Sequence, residues 1–254
     1  MSNQIDASIA QLLNEKLKLY QRPEFISTDP IQIPHLFSQK QDIEIAGFLT
    51  AIISWGNRKS ILHSAHHLMR FLNFQPYHYV LNYSSVDNKH LKTFYYRTFQ
   101  GEDTIFFVRG LSKFYSTQDS LEIIFQGRSI LEGIQHLREW FLQIPHSKRS
   151  EKHLSDVTKG SAAKRINMFL RWMVRKDCID LGIWRTIDTS NLLIPLDVHT
   201  ARTAYHLGLI NNQNANLKNV LHLTHLLKTL DEKDPVKYDF ALFGMSAFEK
   251  NRKK

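Results

Sequence analysis

The stretch LLIPLDVHTARTAYHLG, residues 192–208, sets a carboxylate, Asp197, at the mouth of a helix directly after an apolar run. An aspartate there can do two things. Its side-chain oxygen can accept a backbone N–H that the first helical turn leaves unpaired, with Gly208 closing the helix VHTARTAYHL at its other end. Shielded by Leu192, Leu193, Ile194, Pro195 and Leu196, its charge can also act strongly on whatever is bound opposite it. The residues alone leave both readings open. A second grouping is basic. Lys164, Arg171 and Arg175 share one face of the helix predicted over SAAKRINMFLRWMVR, and Lys159, Arg165, Arg171, Arg175 and the KRSEK cluster suit phosphate contacts whose affinity falls with salt. Just before that helix, Gly160 and the backbone N–H groups of Ser161 and Ala162 suit an anion at a helix start. His63, His66 and His67 place two imidazoles on one helical face, as a metal pair needs, but no acid follows at a matching turn. Leu62, Ala65 and Leu68 make this an ordinary amphipathic helix, and no metal is expected. The single cysteine, Cys178, excludes an internal disulfide and a four-cysteine zinc or iron–sulfur centre.

The elements that must position these groups are helices. Only 10 Gly and 7 Pro in 254 residues leave little turn chemistry, and apolar residues recur at helical spacing, so the expected fold class is all-α with about ten helices. Ile5, Ile9, Leu12, Leu13 and Leu17 mark the first helix, and DPIQIPHLF reads as an extended connector. DIEIAGFLTAIISW, residues 42–55, is apolar almost all round and reads as a central core helix that breaks near Asn57. RKSILHSAHHLMRFLN then turns Ile61, Leu62, Ala65, Leu68, Met69 and Leu72 inward. DTIFFVRGLSKFY and SILEGIQHLREWFLQI follow, and a polar gap precedes the strongest helix, which buries Ile166, Phe169, Leu170 and Met173. With 33 Lys and Arg against 24 Asp and Glu, the formal charge is +9 before any of 13 histidines protonates. That surplus points to a polyanion, nucleic acid ahead of an anionic membrane, since no segment approaches the roughly 20 apolar residues of a membrane span. MSNQIDASIAQLLNEKLKLY has an early acid and no apolar signal core, giving the expectation of a cytoplasmic protein.

IPLDVHTARTAYHLGL resembles the segment of the helix-hairpin-helix DNA glycosylases, the superfamily of endonuclease III and the 8-oxoguanine glycosylases, in which an aspartate at a helix start is followed after one residue by a histidine. The resemblance implies that Asp197 is the catalytic acid and also caps its helix, so the two readings coexist. DIEIAGFLTAIISWGNRKSILHSAHHLMRFL is similar to the family's early helix pair, whose joining loop supplies a side chain that fills the gap left by a flipped base. The matching residues lie near Ser54, Trp55, Gly56 and Asn57. Asn57 is the implied wedge, Arg58 a DNA contact and Trp55 part of the base pocket, the alternative being an ordinary helix stop. VTKGSAAKRINMFL stands in place of the family's hairpin with one glycine, Gly160, where Gly-x-Gly is usual. Its lysine-to-aspartate spacing resembles that of an archaeal 8-oxoguanine branch, implying Lys164 as nucleophile with Lys159 as the fallback. DPVKYDFALFGMSAFEK resembles the final helix, in which Phe240 and Phe243 either line the base pocket or pack in the core.

The resemblance runs from about Asp29 to the C-terminus and is closest to a bacterial family within the superfamily. It implies a two-lobed fold with a terminal lobe of residues 1–41 plus 159–254, a middle lobe of residues 42–158, and double-stranded DNA in the cleft between them. Lys159, Gly160, Ser161, Arg165 and His199 would face the DNA, and neither a cofactor nor an iron–sulfur cluster is expected. The implied activity is excision of an oxidised purine such as 8-oxoguanine, with or without strand cleavage. The chemistry is consistent: the target nucleotide must leave the stack, a carboxylate stabilises the positive sugar of the transition state, and a partly desolvated lysine attacks the same carbon and continues through a Schiff base. Two other classes compete. One is a catalytically silent relative that binds distorted DNA or RNA, and the other a metal-dependent phosphohydrolase using the histidines.

Overall fold

The computed structural model describes residues 4–249, and within them the chain is all-α, with isolated bridges but no strand. Among the described residues there are eleven α-helices, several of them joined through 3-10 turns: α1 (Ala7–Tyr20), α2 (Lys40–Ile52), α3 (Arg58–Phe71), α4 (Pro76–Leu81), α5 (Asn88–Leu91), α6 (Gly101–Tyr115), α7 (Ile130–Leu142), α8 (Lys164–Val174), α9 (Val198–His206), α10 (Leu217–Lys228) and α11 (Asp239–Gly244). No helix among the described residues is long and apolar enough to cross a membrane. The chain forms two compact units, one of residues 26–155 and the other of the residues up to Phe25 and from Asp156 onward. The boundaries therefore fall at 25/26 and 155/156, where the sequence reading placed them at 41/42 and 158/159. Residues 30–36 go with the middle unit because DPIQIPHLF is not extended. It forms two 3-10 turns, each begun by a proline and burying Ile31 and Ile33, that pack on α2 and α3.

In the middle unit α2 is the core helix its composition predicts, with every residue from Ile43 to Ile52 buried. Its one buried acid, Glu44, accepts from the Tyr115 hydroxyl at 2.7 Å, the Ser120 hydroxyl at 2.5 Å and the Leu121 N–H at 3.0 Å, so the charge is hydrogen-bonded rather than bare. Phe48, Phe106, Phe107 and Phe141 interlock behind it. A Cβ on Gly110 of α6 would lie 2.4 Å from the Phe141 ring, and its absence lets α7 approach. α3 turns Ile61, Ala65, Leu68, Met69 and Leu72 inward as expected, while Leu62 stays half-buried.

In the terminal unit α1 packs on α11, and α11 on α9. The helix expected over 161–175 begins only at Lys164, because Ala163 adopts a left-handed conformation, φ 47°, that no helix continues through. Ile166, Phe169, Leu170 and Met173 are buried, yet so are Arg171 and Arg175, at 3% and 4% exposure. The basic face is therefore not a solvent-facing phosphate surface. Arg171 binds Asp180 and Asp239, and Arg175 binds Asp177, Asp180 and Asp234, because guanidinium groups in an apolar interior must be paired.

Candidate functional site

The first feature of the terminal unit is the pair the sequence nominated. The Lys164 Nζ lies 3.9 Å from the Asp197 Oδ2, with the two side chains 29% and 24% exposed. Asp197 caps α9: its Oδ1 accepts from the His199 N–H at 2.8 Å and the Thr200 N–H at 2.9 Å. The second carboxylate oxygen is turned to the lysine, so capping and a role opposite a bound charge use different atoms of one side chain. Leu192, Ile194 and Leu196 are fully buried behind it, the partial shielding expected from the apolar approach.

Lys164 is the first residue of α8, and the turn before it is locked. Gly160 and Ala163 both have positive φ, 79° and 47°, a strained state for the alanine. The Asn167 amide donates to the Ala162 carbonyl at 3.0 Å, and the Ser161 Oγ accepts from the Ala163 N–H at 3.2 Å. The Ser161 N–H donates to the Asp156 carbonyl, and the Leu217 N–H donates to the Gly160 carbonyl. The anion cradle expected from the N–H groups of Ser161 and Ala162 is accordingly not at a helix start, and Ser161 has already spent its donor inside the hairpin. Lys159, the fallback nucleophile, is 82% exposed and pairs with Asp156 at 3.6 Å. Arg165 is half-buried, and desolvation pulls its guanidinium down to about 10. His199 is exposed.

Phe240 does not present a stacking face. It is fully buried, edge-on to Phe25 at 5.2 Å and covered by the Arg171 guanidinium at 4.3 Å, so core packing is its role. Phe243 is half-buried and also meets Phe25 edge-on. The residue of this segment that sequence reading passed over is its neighbour Asp239. This acid is held by Arg171, and burial raises it to about 6 in spite of that partner. Lys164 and Asp197 both act on it electrostatically. The signal was available in YDFALFG, an acid set among apolar residues, the same pattern that drew attention to Asp197.

In the middle unit, Trp55, Gly56 and Asn57 form the short loop between α2 and α3. Asn57 is exposed and caps α3 through the Ser60 N–H at 3.3 Å, and Arg58 pairs with Asp29 at 2.6 Å. Trp55 is half-buried: its ring stacks on His153 at 5.6 Å, and its carbonyl accepts from the Tyr96 hydroxyl at 2.6 Å. Gly56 is required by its φ of 98°, and a Cβ there would lie 2.1 Å from the Arg97 Nη1, the movable end of a long side chain. Arg97 was invisible to sequence reading, because a turn some forty residues downstream brings it to this loop. His153 is in turn held by the buried Asp103, which also accepts from Ser150, Arg149 and the Gln100 N–H. Those donors keep the Asp103 carboxyl far below the usual carboxylate range, although burial alone would raise it.

His63 and His67 stand 6.5 Å apart ring to ring, His67 packs against Phe71 and Phe94, and His66 meets Gln32. Among the described residues no group of three His, Cys, Asp or Glu is placed to hold a metal ion. Cys178 is exposed.

No curated protein and no solved structure matches the chain. A family model described as "Protein of unknown function (DUF2400)" matches residues 29–248, which takes in Asn57, Lys164, Asp197 and Asp239 alike. The chain therefore belongs to the DUF2400 family.

Proposed function

We propose that this protein is a DNA N-glycosylase that excises an oxidised purine of the 8-oxoguanine kind, with Lys164 as the amine nucleophile and Asp197 as the carboxylate that stabilises the sugar cation. The observation that carries this reading is the 3.9 Å approach of the Lys164 Nζ to the Asp197 Oδ2, both open to solvent by about a quarter. A nucleophile and a charge stabiliser acting on one carbon must converge in this way, which supports the reading beyond the ordinary attraction of a lysine for an acid. The lysine stands on a rigid helix start behind a strained turn, and the acid is pinned by two backbone N–H groups, so neither needs to reorganise when substrate arrives. The formal charge of +9 suits a polyanionic substrate.

Borohydride trapping on duplexes carrying 8-oxoguanine or an abasic site tests the reading, with Lys164→Gln and Lys159→Gln beside the wild type. An adduct lost only in Lys164→Gln is expected. An adduct lost only in Lys159→Gln would move the nucleophile into the exposed hairpin. Salt-sensitive DNA binding without adduct or released base, unchanged in Asp197→Asn, would instead make the chain a silent DNA-binding relative.

A further inference from the structure

A nucleophile and a charge stabiliser do not complete the chemistry of purine excision. The departing base carries away the electron pair of its bond to the sugar and must be neutralised, so a site of this kind gains from a proton donor. Asp239 is placed for that task. It opens α11, which packs on α9, the helix that Asp197 caps. It is also tied to Arg171, which stands two turns along α8 from Lys164 and on the same face. Three helices thus bring Lys164, Asp197 and Asp239 to one corner of the terminal unit. The Asp239 side chain is about nine-tenths buried, with 10% left open to solvent.

Resting on the glycosylase reading above, we infer that Asp239 is the general acid of this site, the group that protonates the leaving purine. In the step, the bond between C1′ and the purine nitrogen breaks with its electron pair going to the base, and the Asp239 proton passes to a ring nitrogen of that base. The Lys164 lone pair forms the new bond to C1′. The alkylated nitrogen then loses a proton to the Asp239 carboxylate, so the acid is restored and no external reagent is consumed.

The surroundings of Asp239 suit the role. Burial is the largest influence and disfavours its charged form, as do Asp197 at the start of α9 and Asp180 of the turn after α8, while Arg171 of α8 and, more weakly, Lys164 favour it. Lys16 of α1 and Lys237 of the preceding turn are engaged elsewhere, with Glu249 and Asp231. Raised to about 6, Asp239 is protonated to about a tenth at pH 7, against under about a thousandth for an ordinary aspartate. Asp197 has one oxygen fixed by two backbone donors and the other beside the Lys164 ammonium, a placement distinct from that of the buried Asp239.

The test compares single-turnover release of 8-oxoguanine with cyanoborohydride trapping on the same duplex bearing an abasic site, from pH 6 to 8.5, for the wild type and Asp239→Asn. Only the first reaction has a base to expel. In the wild type, excision is expected to stay nearly level with pH, since an amine nucleophile gains what a general acid loses. Trapping should rise. In Asp239→Asn the ratio of excision to trapping at pH 7 should fall about a hundredfold, and excision should now climb with pH as trapping does. Equal loss of both reactions with the excision profile unchanged in shape would mark Asp239 as structural and overturn the inference. If Asp239→Asn does not fold, the wild-type profiles decide: excision that climbs in parallel with trapping overturns the inference without any variant. Absence of released base from every wild-type duplex would overturn the glycosylase reading and this inference together.

Discussion

In the proposed glycosylase Asp197 has two tasks, the helix cap on one oxygen and charge stabilisation with the other, so substitutions that separate the atoms should separate the effects. Asparagine keeps a side-chain oxygen for the His199 and Thr200 N–H groups but removes the charge, whereas alanine removes both. Loss of an N-cap costs about 1 kcal/mol, and the Thr200 N–H is partly buried, so water does not fully replace the lost acceptor. In a protein of this size Asp197→Ala should lower Tm by about 2–4 °C, while Asp197→Asn should stay within about 1 °C of the wild type. For catalysis the charge matters. A positive sugar forming as far from the carboxylate as the Lys164 ammonium now lies, 3.9 Å, gains about 4 kcal/mol at an effective dielectric constant of about 20. That corresponds to about a thousandfold in rate. Both variants should therefore lose about three orders of magnitude in single-turnover base release, measured beside calorimetric melting. Retained activity in Asp197→Asn, or melting as early as Asp197→Ala, would show that the two oxygens do not divide the tasks in this way.

Gly56→Ala combines a backbone strained at φ 98° with a displaced Arg97, and should cost about 1–2 kcal/mol and weaken DNA binding in fluorescence anisotropy. Unchanged affinity would exclude this loop from the proposed DNA interface. Asp103→Ala strips the acceptor from Ser150, Arg149 and His153 at once, and should lower stability to urea by about 3 kcal/mol; a change below about 1 kcal/mol would show that the cluster relaxes or hydrates freely. Asp180 and Asp239, raised from 3.8 to about 6 by burial, bind protons more readily folded than unfolded. Their contribution is thus fully present below about pH 4 and is lost as pH rises through about 6. Relative to the wild type, Asp239→Asn should show a urea midpoint that declines less from pH 4 to 7, by an amount on the order of 1–3 kcal/mol in stability. His66, lowered by burial, contributes oppositely but equally in both proteins. A parallel decline would mean that Asp239 does not hold the extra proton.

The sequence by itself determined the helical class, the core helix α2, the inward face of α3 and the ends of several helices. Helical periodicity and capping residues are local, and Asn57, Ser129, Asp197 and Asn216 each cap the helix that follows them. It also singled out Asp197, because an acid placed after a buried apolar run is conspicuous wherever the chain goes next. The partner required more: spacing along one helix groups Lys164 with Arg171 and Arg175, and only the tertiary structure separates them, leaving the lysine at a half-open corner and drawing both arginines into a buried acidic cluster. Pairwise charge satisfaction in an apolar interior is a long-range condition, and a helical wheel carries no information about Asp180, Asp234 or Asp239. Phe240 and the 30–36 turns follow the same rule. Their residue types allow exposure or burial, extension or a tight turn, and the choice is made by what packs against them.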